Sequence, residues 1–67
     1  MIRYNHKAPP QYGVGDILLI KASGLEMYCI IDKMDNNAYF YTDLHTLKQY
    51  SFSFYYVDNN KHFQKVA

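Results

Sequence analysis

Apolar positions in this chain either alternate with polar ones or run unbroken for a few residues, and no long stretch carries the spacing of a helix face. The clearest stretch is Asp16–Lys33. Two runs rich in branched and aromatic residues, Ile17-Leu-Leu-Ile20 and Met27-Tyr-Cys-Ile-Ile31, stand on either side of Ser23-Gly24, which predicts two antiparallel strands joined by a tight turn. The first run is apolar without alternation, as in a strand covered on both faces. In the second, Met27, Cys29 and Ile31 face one way and Tyr28, Ile30 and Asp32 the other. Before the hairpin, Tyr12-Gly-Val-Gly-Asp16 has glycines on both sides of Val14, as a sharp bend requires.

Asp35-Asn-Asn37 is a turn signal, because Asn and Asp tolerate left-handed backbone and bond to their own main chain. A third strand is predicted over Ala38–Thr42, with Phe40 inward and Tyr39 and Tyr41 outward. Asp43–Thr46 turns the chain again. A fourth strand is predicted over Leu47–Tyr56, with Tyr50, Phe52 and Phe54 on the core side and Gln49, Ser51 and Ser53 on the other. Asp58–Lys61 makes the last turn and His62–Ala67 a closing strand; a single helical turn over Tyr55–Asn60 also fits. Ahead of all this, Met1–Gln11 reads as an extended arm, fixed by Pro9-Pro10 and with room for a short strand at Ile2–Asn5. The expectation is one all-β domain over residues 12–67, five strands curled into a small barrel that hides its edges, preceded by the arm over residues 1–11.

At 67 residues there is room for one small core, and a chain of that size buries only about 60% of the surface it exposes when unfolded. Support from a partner or a second copy is therefore expected. The single cysteine excludes an intrachain disulfide and favours a reducing, cytoplasmic setting. No apolar run approaches the roughly 20 residues of a spanning helix, and Met1–Pro10 is too polar for a signal peptide, so no membrane role is expected. Seven Lys and Arg against six Asp and Glu are spread thinly, without the clustered basic face that phosphate contacts demand. Frequent Asn, Lys and Ile fit an AT-rich genome such as that of a bacteriophage or a low-GC bacterium; a phage product would work in the host cytoplasm.

Chemistry-bearing residues are sparse. His6, His45, His62 and Cys29 lack the short paired spacings of a metal site. Ser51 and Ser53 sit on a strand without a strained nucleophile turn, Asp32 and Asp35 stand where local backbone bonding explains them, and Gly13-Val-Gly15 leads into a strand rather than a phosphate-binding helix. Neither an enzyme nor a bound cofactor, metal or small-molecule substrate is expected. What stands out is eight Tyr and four Phe without Trp. Outward tyrosines, namely Tyr12, Tyr28, Tyr39, Tyr41 and Tyr55, are the expected contact surface for a protein partner or a second copy. The alternative is a nucleic-acid binder of low sequence preference, stacking bases on tyrosines and meeting phosphates with Lys21, Lys33, Lys48 and Lys61.

Val14-Gly15-Asp16-Ile17-Leu18, a second strand ending in Ile31-Asp32, a third ending at Asp43 and a brief closing strand resemble SH3-like barrels of the Tudor and KOW sort. The resemblance spans about Tyr12 to Val66 and implies a fold rather than an activity. In Tudor-like modules it would make Tyr28, Tyr39 and Tyr41, with Asp43, a cage for methylated Lys or Arg; Leu44-His45-Thr46 stands where Tyr-Gly-Asn often follows that Asp. KOW modules use basic loops, and Ser23-Gly24 is short and uncharged. Peptide-binding SH3 domains carry an acidic first loop and a Trp, neither of which occurs here.

Overall fold

Two turns of the same kind set the frame. In the computed structural model, which describes residues 10–67, Ser23 and Gly24 have φ of 51° and 80°, and Asn36 and Asn37 have φ of 51° and 59°. Positive φ at both central residues is the two-residue turn whose twist matches that of the flanking strands. The first joins β1 (Ile17–Ala22) to β2 (Leu25–Asp35), the second joins β2 to β3 (Ala38–Asp43). The bend before β1 is also a turn, closed by the Asp16 N–H donating to the Gly13 carbonyl at 3.1 Å, with Gly15 at φ 92°.

The remaining elements are β4 (Gln49–Ser53), a one-turn helix α1 (Phe54–Asp58) and β5 (Phe63–Lys65). All five strands form one antiparallel sheet in the order β4-β3-β2-β1-β5. The five-stranded all-β architecture is as the pattern predicts. Closure is not: among the described residues β4 and β5 do not pair with each other, so the expected barrel is an open, curled sheet. The Leu47–Tyr56 strand is also shorter than expected. Its second half turns into α1, because the Ser53 hydroxyl accepts the Tyr56 N–H at 3.1 Å and so caps a helical turn where alternation would have continued. The expected arm and its strand at Ile2–Asn5 fall on positions outside the described residues, Pro10 and Gln11 excepted.

One register shift decides what lies inside. Between Ile31 and Lys33 the β2–β3 pairing slips by a residue, leaving Asp32 as a bulge. Without it, alternation from Ile31 would turn Lys33 and Asp35 inward and, across the Asn36-Asn37 turn, Phe40 with them. The bulge inverts this: Ile31 pairs with Tyr41 and Met34 with Tyr39 on the core face, while Lys33 pairs with Phe40 outside. Tyr39 and Tyr41 are accordingly 0% and 2% exposed, opposite to the orientation expected from the sequence, and Phe40 lies on the outer face with the Lys33 ammonium 5.2 Å from its ring centre. The Asp32 carboxylate accepts the Thr42 hydroxyl and ties the bulge to its neighbour.

The core fills the concave face: Leu18 and Ile20 from β1, Cys29 and Ile31 from β2, Tyr39 and Tyr41 from β3, Val57 from α1, Phe63 from β5, and Tyr12 from the segment before the first turn. Leu19 is buried on the opposite face between its cross-strand neighbours Tyr28 and Gln64, so β1 is covered on both sides as its unbroken apolar run suggests. Tyr39 can be buried because its hydroxyl is fully used. It donates to Asp58 Oδ1 at 2.7 Å and accepts the Tyr12 N–H at 3.1 Å.

Candidate functional site

An open sheet leaves its concave face incompletely roofed between β4 and β5. There the alternation of Gln49-Tyr50-Ser51-Phe52-Ser53 aims Tyr50 and Phe52 at the same side as Tyr41, β5 contributes Phe63, and α1 brings Tyr56 across. These five rings line a cleft of about 260 Å³, with Ile20 and Met27 below and Asn60 and His62 at the rim. The rings hold one another. Phe52 and Tyr56 stack at 4.7 Å, Tyr41 stacks on Tyr50 at 5.9 Å, and Phe63 meets Tyr56 edge-on at 6.0 Å. Tyr50, Phe52 and Tyr56 stay substantially exposed, in contrast to the core role the alternation suggests for the first two.

Among the described residues no Asp, Glu, Lys or Arg lines this cleft. Burial pushes the Tyr41 phenol well above its ordinary range, so it stays a neutral hydrogen-bonding group in the wall. The cleft can accept an apolar or aromatic group against its rings and offers phenol, amide and imidazole groups around it. A second depression of about 530 Å³, more open, lies beyond Met27 between Leu25, Tyr28, Asp43, Leu44 and His45. Its Asp43 is committed elsewhere: His45 and Thr46 N–H groups donate to its carboxylate at 2.7 and 3.3 Å, holding it below the usual carboxylate range. Among the described residues no group of three or more His, Cys, Asp or Glu is placed to hold a metal ion.

The five tyrosines expected to meet a partner do not form one patch. Tyr12, Tyr39 and Tyr41 are interior, Tyr28 is half-exposed on the outer face of β2, and Tyr55 is half-exposed on α1. Of the five, only Tyr41 borders the aromatic cleft. A cage of Tyr28, Tyr39 and Tyr41 is excluded by the opposite facing of Tyr28 and the complete burial of Tyr39. The lysines do not converge either: Lys21 faces Glu26 at 3.8 Å, Lys33 faces Asp35 at 3.9 Å, Lys48 precedes β4, and Lys61 lies between α1 and β5. The residues that sequence reasoning missed are Tyr56 and Phe63, together with the exposure of Tyr50 and Phe52. Ser53 three residues ahead of Tyr56 is the local signal for a capped turn that would have brought Tyr56 over Phe52.

Comparison of the chain with family models, with curated protein sequences and with solved structures finds no match.

Proposed function

We propose that this chain is a small non-enzymatic protein-binding module of SH3-like build, whose aromatic cleft takes one or two apolar side chains from an extended segment of a partner protein. The observation that carries the reading is the cleft itself: Tyr50, Phe52 and Tyr56 stand exposed around a hollow floored by the buried rings of Tyr41 and Phe63. Its size supports a peptide over a metabolite, since about 260 Å³ falls below the roughly 300–1,000 Å³ of pockets that engulf small ligands. A described lining without Lys, Arg, Asp or Glu favours an uncharged segment over nucleic acid, whose phosphates need cations. The SH3-like likeness is supported by the return of the last strand beside the first and by the helical turn that leads into it. Such a module suits a modulator of another protein, of the kind phages encode, or an accessory subunit of a larger assembly. The lone buried thiol of Cys29 supports a reducing compartment such as the cytoplasm.

Burying one or two such side chains contributes roughly 1.5–3 kcal/mol each, and a millimolar complex requires about 4 kcal/mol, so a short peptide should bind weakly. The test is selection of binders from a displayed random-peptide library, followed by NMR titration. Peptides that shift the amides of Phe52, Tyr56 and Phe63 and lose binding to Tyr56→Ser, but not to Tyr28→Ser on the outer face, support the reading. Selection of no peptide, loss with Tyr28→Ser alone, or a shift with single-stranded oligonucleotide at low salt in place of peptide overturns it.

A further inference from the structure

The two ends of the sheet are unequal. β5 is three residues long and contains Lys65; each edge strand also has a basic residue close ahead of it, Lys61 before β5 and Lys48 before β4. Charge and shortness are the means by which sheet edges avoid pairing with other chains. Within β4 itself neither safeguard occurs: its five residues, Gln-Tyr-Ser-Phe-Ser, include no charge, proline or bulge, and all are exposed.

The direction of its backbone groups follows from the ladder. The Asp43 N–H donates to the Lys48 carbonyl at 2.8 Å and the Phe54 N–H to the Asn37 carbonyl at 2.7 Å. Hydrogen-bonded pairs alternate along an antiparallel ladder, so between these two the bonded pairs are Tyr41 with Tyr50 and Tyr39 with Phe52. The amide and carbonyl of Ser51, and those of Gln49 next along the edge, therefore point away from β3 to a side of β4 on which no described residue pairs. α1 does not cover them, because it leaves Ser53 toward its own concave face, where Val57 is buried and Tyr56 lies on Phe52.

We propose that the chain forms a two-fold dimer by antiparallel pairing of β4 with β4 of a second copy, centred on Ser51. The strand is complementary to itself in this register. Ser51 exchanges both of its backbone bonds with Ser51 of the second copy. Tyr50 faces Phe52 of the second copy, twice, in the pairs where side chains of opposite strands come closest, and on the concave side. A net charge of +1 leaves little repulsion between copies. The axis stands perpendicular to the sheet, so both aromatic clefts open on the same side of a continuous ten-stranded sheet, five strands from each copy. The proposal rests on the β4 edge and not on what the cleft holds.

The Ser51 side chain points to the outer face, opposite Phe40 and away from the cleft, so it can carry a charge without disturbing the core. In the dimer the two Ser51 side chains are direct neighbours. Sedimentation velocity should show the wild type moving from one chain to two as concentration rises through the micromolar to millimolar range, as a small interface allows. Ser51→Asp and Ser51→Lys should each remain single at every concentration with an unchanged circular dichroism spectrum, and an equimolar mixture of the two should regain the two-chain species. A wild type that stays single throughout, variants that associate as the wild type does, or a mixture of folded variants that stays single overturns the proposal. Peptide binding by Ser51→Asp is expected to persist, so failure of the dimer and failure of the cleft reading are read separately.

Discussion

Replacing Tyr39 by Phe removes one oxygen from the point where the beginning of the domain, β3 and α1 are joined. The ring remains, so no cavity opens, and the loss is confined to hydrogen bonding. The missing hydroxyl donates to Asp58 Oδ1 at 2.7 Å and accepts the buried Tyr12 N–H at 3.1 Å. A bond to a charged group contributes about 1.5–3 kcal/mol net, and a buried donor left without a partner costs about 1–3 kcal/mol. Asp58 also accepts the Gln11 N–H at 3.2 Å on an exposed side and can recover water there, which trims the first figure. We therefore expect Tyr39→Phe to lose about 2–3 kcal/mol. In a domain of this size that corresponds to a fall in Tm of roughly 10–20 °C. Urea titration followed by far-ultraviolet circular dichroism measures it, with Tyr28→Phe on the outer face as a control expected to change stability by less than about 0.5 kcal/mol. A Tyr39→Phe midpoint indistinguishable from the control would refute the view that this phenol fastens Tyr12 and α1 to the sheet.

Three further outcomes are expected. Burial, with Asp43 nearby, pushes the Cys29 thiol from 9.0 to about 11. The unfolded chain then releases a proton that the folded chain keeps, so stability should fall as pH rises from 9 through 11, and Cys29→Ala should flatten that part of the denaturation profile while the decline from Tyr39 and Tyr41, which begins at about pH 10, remains. Asp43 is shifted the other way by the His45 and Thr46 N–H groups, so its contribution is present above the ordinary carboxylate range and disappears as pH falls through its lowered value; Asp43→Asn should blunt the acid limb of the same profile. Leu47 is held at φ 64° while 72% exposed, in backbone that costs a side-chain-bearing residue about 1–2 kcal/mol, so Leu47→Gly should raise stability by about 1 kcal/mol, as thermal unfolding will show.

Much of the architecture is written in local chemistry. Ser23-Gly24 and Asn36-Asn37 are residues that accept left-handed backbone, and each makes the hairpin turn expected of it. Met27, Cys29 and Ile31 face the core as their alternation implies. The orientation of β3 was harder to read, because Ala38-Tyr-Phe-Tyr-Thr42 offers aromatic rings on both faces, so that alternation alone does not choose. The choice is made at Asp32, and its trace in the sequence is negative: without a bulge, Lys33 and Asp35 would have faced the core. The cleft was less legible still. Tyr50 and Phe52 read as core because a closed barrel would have covered them, and whether a sheet closes depends on the mutual position of strands far apart in the chain.

The extra residue at Asp32 is one the chain can lose without exchanging its inside for its outside. Taking it away leaves Ile31 opposite Tyr41, Lys33 opposite Phe40 and Met34 opposite Tyr39 in an unbroken ladder, so the same side chains stay buried. What goes with it is the added local twist and the hold on the Thr42 hydroxyl. Sequences descended from this one should therefore tolerate a one-residue deletion here better than at Cys29 or Ile31, where a core side chain would go with it.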